Sequence, residues 1–371
     1  MKGLFIGVWV IITIFIAPVE VLAQEYITSQ FEAEVTEVLD EQIVESGNLS
    51  GIVQKLQVKA IDGELQGRMV VIEEGQFVRV DQPKYNVGDR LIITQISAPD
   101  GSSQFYITDY VRSEALIGLF VLFVLLTIII GRFAGVASFI GMVYSFAVIF
   151  TVVLPLILRG VNPVLVAIGA SLLIVPGTFY LSHGINQKTH VAVLGTIITL
   201  IITTGLAAVT VEVTHLTGFA SEEAGFLQSQ LGGNVNMKGL LLAGIIIGTL
   251  GVLDDITVSQ ASIVSELKTA ARLKNPRKLY SSAMRVGRDH IASLVNTLVL
   301  VYTGASLPLL LLFINSDQTF GRVINLEIIA DEVVRTLVGS IGLVLAVPIT
   351  TALAVYWMKG EKDKTHSFHS H

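Results

Sequence analysis

The chain contains no cysteine among its 371 residues, so no disulfide, thiolate nucleophile or cysteine-ligated zinc is available, and cysteine usage says nothing of redox compartment. Charge is scarce as well. Asp, Glu, Lys and Arg make up 15% of the residues, with a net charge of -6, and no basic run interleaved with aromatics occurs, which excludes nucleic acid as a partner. No Gly-x-x-x-x-Gly-Lys-Ser/Thr loop is present, so the chain does not drive transport with a nucleotide by itself, and no cofactor motif is found. What abounds is apolar. At 52% hydrophobic and a mean hydropathy of +0.70, the chain has more apolar surface than one water-soluble core can bury, and its solvent must be a lipid bilayer.

The N-terminus reads as a signal peptide, residues 1–23: Lys2 precedes an apolar run over 4–17, Pro18 and Glu20 interrupt it, and Val21 and Ala23 are small residues at a cleavage position. That run is shorter than the ~20 residues a span requires. From Gln24 to Arg112 the composition becomes that of a soluble domain, with period-two segments at 31–39, 53–61, 66–72, 90–95 and 104–110. Asp62-Gly63, Glu74-Gly75 and Pro99-Asp100-Gly101 separate them as turns. This predicts an exported β-rich domain, a small β-barrel or β-sandwich of the OB or SH3-like size. It has no histidine and no catalytic constellation, so docking a protein partner suits it better than chemistry.

Beyond Arg112, seven stretches are long enough to cross ~30 Å of hydrocarbon as helices, at 115–131, 134–157, 162–182, 190–211, 238–256, 291–314 and 333–357. The prediction is an α-helical polytopic bundle over 113–358, with a cytoplasmic amphipathic elbow at 265–288 and a cytoplasmic tail at 359–371 whose histidines bind metal only by chance. An exported Gln24 makes the odd-numbered spans run inward. Charge agrees, because Lys and Arg belong on the cytoplasmic side: the inner segments carry Arg132, Lys188, the basic elbow, Lys359, Lys362 and Lys364, whereas the outer loops are mostly acidic. A bacterial cell membrane with the C-terminus inside follows.

Ionisable groups at membrane depth cost about 2.5–3.5 kcal/mol each at a helix centre unless they find a partner or water. They gather in the last three spans as Asp254, Asp255, Asp289, His290, Glu332 and Arg335. Helical spacing puts Asp255, Ser259, Ser262 and Glu266 on one face, Asp289, Ser293, Asn296 and Thr303 on a second, and Glu332, Thr336, Gly339 and Ser340 on a third. Three such stripes either line one hydrated path for an ion or small solute, or act as hydrogen-bonding glue between helices. Individual readings compete with a site. Asp289 suits the N-cap of the sixth span, Glu332 and Arg335 can pair locally, and Gly131-x-x-x-Gly135 and Gly244-x-x-x-Gly248 are small-residue packing pairs. Asp255 with Asp289 would suit an aspartyl hydrolase, but the Gly-x-Gly-Asp signature is absent, and transport or an assembly role is expected rather than an enzyme.

Three blocks carry a wider resemblance: Gly251-Val-Leu-Asp-Asp-Ile-Thr-Val-Ser-Gln260, Val286-Gly-Arg-Asp-His-Ile291 followed by Asn296 and Tyr302-Thr-Gly-Ala-Ser-Leu-Pro308, and Arg335-Thr-Leu-Val-Gly-Ser-Ile-Gly-Leu-Val-Leu-Ala-Val-Pro348. In these the chain resembles the YibE/F-like bacterial membrane proteins. The resemblance implies a multi-pass membrane protein, often described as a permease, with substrate and mechanism not established.

Overall fold

A computed structural model describes residues 27–357 apart from 47–48, 76–82, 98–101, 274 and 316–318. The expected signal peptide and tail lie outside the described residues. The chain divides into two compact units between Leu125 and Leu126.

The first unit holds β1 (Ile27–Ser46), β2 (Leu49–Ala60), β3 (Met69–Glu74), β4 (Arg90–Ser97) and β5 (Ser103–Tyr110) in one antiparallel sheet of order β3-β2-β1-β4-β5. Period-two patterning makes it amphipathic: Phe31, Ala33, Val35, Leu56, Val58, Ala60, Leu91 and Ile93 are buried on one face. Register shifts at Val35/Glu37 and Val38/Asp40 bend β1 as bulges do. The edge strands β3 and β5 come into contact, so the sheet curls into a half-barrel. Buried Gln54 ties a loop to it, accepting from the Tyr85 N–H at 2.8 Å and donating to the Tyr85 carbonyl at 3.0 Å. The segment expected at 66–72 becomes a strand only from Met69, because 63–67 turn through Gly63 (φ 72) and Gly67 (φ 80).

The helices are α1 (Ser113–Val148), a π turn (Ile149–Val153), α2 (Leu154–Leu158), α3 (Pro163–His183), α4 (Gln187–Val213), α5 (Glu222–Gln230), α6 (Met237–Thr269), α7 (Pro276–Ala305), α8 (Leu307–Ile314), α9 (Phe320–Val323) and α10 (Glu327–Trp357). Among the described residues, five stretches are long and apolar enough to cross a membrane: Ser113–Leu158, α3, α4, α6 and α10. The first has 46 residues, about 69 Å if straight and more than two crossings of a ~30 Å core. It is not straight. Arg132 has φ 52 and ψ -131, and a Cβ on Gly135 would overlap the Thr127 carbonyl, although residues eight apart on one helix are about 12 Å apart. The chain folds back at Arg132.

One expectation changes here. The sixth span, expected at 291–314, bends by 67° where α7 meets α8. Within the 265–288 elbow α6 runs on to Thr269, Arg272 has φ 50, and α7 starts at Pro276, where the Asn275 side chain caps it.

Candidate functional site

Three helices, α4, α6 and α10, pack on one another along their lengths. At one end Lys238 of α6 meets Glu212 of α4 at 2.5 Å. Beside them Glu327 of α10 accepts from the Thr217 N–H at 2.6 Å and the Gly218 N–H at 3.1 Å. The C-terminus of α4 therefore lies at the N-termini of α6 and α10, and α4 runs antiparallel to both.

Polar side chains inside this trio fall into two layers. In the first, Thr203 and Thr204 of α4 and Thr249 of α6 line a narrow hollow with Leu200, Ala207, Ile245 and Ile246, leaving no room for an ordered water. Glycine brings α10 in: a Cβ on Gly342 would lie 2.7 Å from Thr203 Oγ1 and 3.4 Å from Thr249 Cγ2. In the second layer, Thr196 Oγ1 and Thr257 Oγ1 are 2.7 Å apart, and Gln260 Nε2 donates to Thr351 Oγ1 at 2.7 Å and to the Ala283 carbonyl at 3.2 Å. Thr350 Oγ1 rests against Gly195, where a Cβ would stand 2.5 Å away. The layers are separated by seven to eight residues on α4, eight to eleven on α6 and eight to nine on α10, about 11–16 Å at helical rise. Buried Leu200, Leu250, Leu253 and Ala346 fill the space between. Beyond the first layer, Ala207, Val211, Leu241, Ile245, Val334 and Val338 form an apolar collar.

The hydroxyls share one habit. Thr196, Thr199, Thr203, Thr257 and Thr351 each donate to the carbonyl four residues back, which satisfies the hydroxyl proton locally and leaves its lone pairs facing the neighbouring helix. Several buried oxygens have no partner at all: Thr204 Oγ1, Gln260 Oε1, Ser340 Oγ and Thr350 Oγ1.

The residues singled out from the sequence fall in different places. Ser340 is buried on α10. At the end of α10 near Glu327, half-buried Arg335 pairs with Asp331 at 3.5 Å and Glu332 at 3.9 Å, as the spacing predicts. Asp254 and His290 are half-buried, whereas Asp255, Ser259, Asp289, Asn296 and Thr303 are exposed. Contacts of Gln260 with Ala283 and of Gly248 with Tyr302 fix the antiparallel register of α6 and α7. That register puts Asp254 and Asp255 within about one turn of the depth of Asp289 and His290. Among the described residues no hydrogen bond or ion pair joins the two pairs. Asp289 is not an N-cap, since α7 begins at Pro276. Of the glycine pairs, Gly135 packs closely while Gly131 and Gly244 face open space. Among the described residues no group of three or more His, Asp and Glu is placed to hold a metal.

A family model described as YibE/F-like protein matches residues 119–360, most of the chain and all three helices of the trio. The chain belongs to that family. Neither a curated protein nor a solved structure matches it. The matched region holds both polar layers and leaves out the half-barrel, so the trio belongs to the part of the chain that defines the family.

The threonines of α4, together with Gln260, Thr350 and Thr351, escaped the sequence reading. Their signal was there: Thr196, Thr199 and Thr203 fall at i, i+3 and i+7, a polar stripe no weaker than those of the later spans but without a charge to draw attention.

Proposed function

We propose that this YibE/F-like protein is a secondary permease or channel-like transporter of a bacterial cell membrane, with no catalytic centre of its own. In this reading α1 breaks into two spans at Arg132 and the bent α7–α8 pair counts as one, giving seven. The half-barrel stands outside, and residues 270–275 and the C-terminus stand inside. The observation that carries the proposal is the set of buried oxygens in the α4–α6–α10 trio that nothing in the fold satisfies. Glue between helices closes its hydrogen bonds pairwise, and an unpartnered oxygen in an apolar surround costs about 1–3 kcal/mol. A passing ligand that completes them would offset that cost for all four, on adjoining helices. Along α10, the step from Asp331 to Thr351 covers about 30 Å, the thickness of the hydrocarbon core, so acid–arginine group, collar and two polar layers succeed one another across the membrane. An occluded route has this order.

The test is flux in proteoliposomes with a panel of ions and small polar solutes. The proposal expects at least one solute to move, and to slow when Gly342→Leu fills the first layer while Gly205→Leu, at an open glycine of α4, has little effect. If no solute moves, transport is refuted. A second reading, an assembly or regulatory subunit docking a protein partner, draws on the β1–β2 arm, where Leu39 and Val44 are exposed and Ile43 is 71% exposed. Capture that depends on those three residues, without flux, would select it.

A further inference from the structure

The Gln260 layer has a composition that points to one kind of ligand. Thr196, Thr257, Gln260, Thr350 and Thr351 are each 0% exposed, and three helices bring them to one level. Their protons can be counted. Thr351 uses its hydroxyl proton on the Val347 carbonyl at 2.6 Å and accepts from Gln260 Nε2. Thr196 and Thr257 have two protons between them for four contacts: the Ala192 carbonyl at 3.0 Å, the Leu253 carbonyl at 2.9 Å, the Asp254 carbonyl at 3.3 Å, and each other at 2.7 Å. Gln260 spends its amide N–H groups on Thr351 and the Ala283 carbonyl. Its Oε1 accepts nothing, and the Thr350 hydroxyl neither accepts nor donates. The layer is thus rich in acceptors, all of them neutral, and no cationic side chain belongs to it.

We propose that this layer binds a small, largely dehydrated monovalent cation of the alkali class, sodium-sized rather than larger, through the oxygens of Thr196, Thr257, Gln260 and Thr350. The proposal rests on the transport reading and names the ion that would be moved or would accompany the solute. A water molecule would need acceptors for its two protons in fixed directions, while a cation is satisfied by any ring of oxygens, and neutral oxygens are the ligands that replace a monovalent ion's hydration shell. A divalent ion requires carboxylate ligands to offset its dehydration, and none belongs to the layer. One acid stands close by. Asp254 precedes Thr257 by three residues on α6, its backbone carbonyl 3.3 Å from Thr257 Oγ1, and its side chain is not part of the ring. The size preference follows from Gly195 and Gly287. A Cβ on Gly195 would stand 2.5 Å from Thr350 Oγ1, and one on Gly287 2.5 Å from Val347 Cγ1 and 3.0 Å from Gln260 Oε1, so the helices pack closely around the layer and leave little slack.

The full chain in lipid nanodiscs tests this by thermal melting in sodium, potassium and choline chloride at one ionic strength. The expected result is a saturable rise of the melting midpoint in sodium above that in choline, with potassium weaker, because a ligand that binds only the folded state raises its stability with concentration. Thr350→Val and Thr196→Val keep the shape and remove an oxygen, and each should raise the half-saturating sodium concentration about 10-fold or more. Ser293→Ala, on the exposed face of α7, should leave it unchanged. Equal melting of the unaltered protein in all three salts overturns the proposal and leaves the layer filled by water or by nothing. A sodium-specific rise without flux of any solute would support the cation site while refuting transport, and flux indifferent to sodium with no sodium-specific melting would do the reverse.

Discussion

Gly195→Ala tests how tightly the trio is packed at the Gln260 layer. The new methyl would stand 2.5 Å from Thr350 Oγ1, 3.3 Å from its Cβ and 3.4 Å from its Cγ2, so α10 must withdraw or Thr350 must change rotamer. Overpacking of this kind costs about 1–3 kcal/mol, whereas Gly→Ala inside a helix returns at most about 1 kcal/mol from helix propensity. The net expectation is a loss of about 1 kcal/mol. Gly205 on the same helix has open space around its Cβ direction, so Gly205→Ala should be neutral or stabilising by a few tenths to about 1 kcal/mol. Reversible unfolding in mixed micelles or bicelles, followed by circular dichroism, measures both. Adding Thr350→Ala removes the Oγ1 and Cγ2 that the methyl meets, and the double variant should recover most of the loss, a coupling of about 1 kcal/mol within the 0.5–3 kcal/mol range of residues in contact. If Gly195→Ala is as stable as Gly205→Ala, or if Thr350→Ala fails to rescue it, α4 and α10 are not packed as described.

Gln260→Leu removes two buried hydrogen bonds and should cost about 1–3 kcal/mol in the same unfolding measurement, while Asn296→Leu on the exposed face of α7 should cost close to nothing or stabilise; equal effects would contradict the burial. In the half-barrel, the Lys84 ammonium donates to Glu41 at 2.6 Å and holds its carboxyl below the ordinary 4.5. Asp109 is held below 3.8 by the Tyr110 N–H and then by Arg112. Both folded values lie under the unfolded ones, so this stabilisation is full above about pH 4.5 and fades as pH falls through the lowered values; unfolding that grows easier from pH 7 toward 5, rather than below 4.5, would go against it. Reporter fusions should show residues 24–112 outside and both residues 270–275 and the C-terminus inside, and an external C-terminus would remove the seven-span count.

The architecture was legible because hydropathy and period-two alternation are global signals, summed over many residues. Boundaries were less so where the cause is local. Nothing in the composition of 265–288 marks where α6 ends and α7 begins, which rests on the Asn275 side chain capping α7. The bend between α7 and α8 falls at Ser306-Leu307-Pro308, where proline two residues into the new helix marks a start rather than a kink.

The polar stripes raise a sharper point about which face of a helix packs. Periodicity correctly grouped Asp255 with Ser259 and Asp289 with Ser293 and Asn296, yet both faces turned outward. On α7 the buried residues are Leu279, Ala283 and Gly287, the last without a side chain and so open to Val347 of α10, and Asp289 lies two residues from Gly287, about 200° around the helix. On α6 the same offset separates buried Leu253 and Thr257 from Asp255. Charge marks the expensive residues, but backbone clearance decides what faces the bundle, because close helix contact in lipid depends on small residues at the contact. By that criterion Gly195 and Gly342 locate the trio's interior and Gly287 the face where α7 meets it, and the oxygens opposite them, uncharged and therefore inconspicuous in the sequence, are the ones the proposed cation would meet.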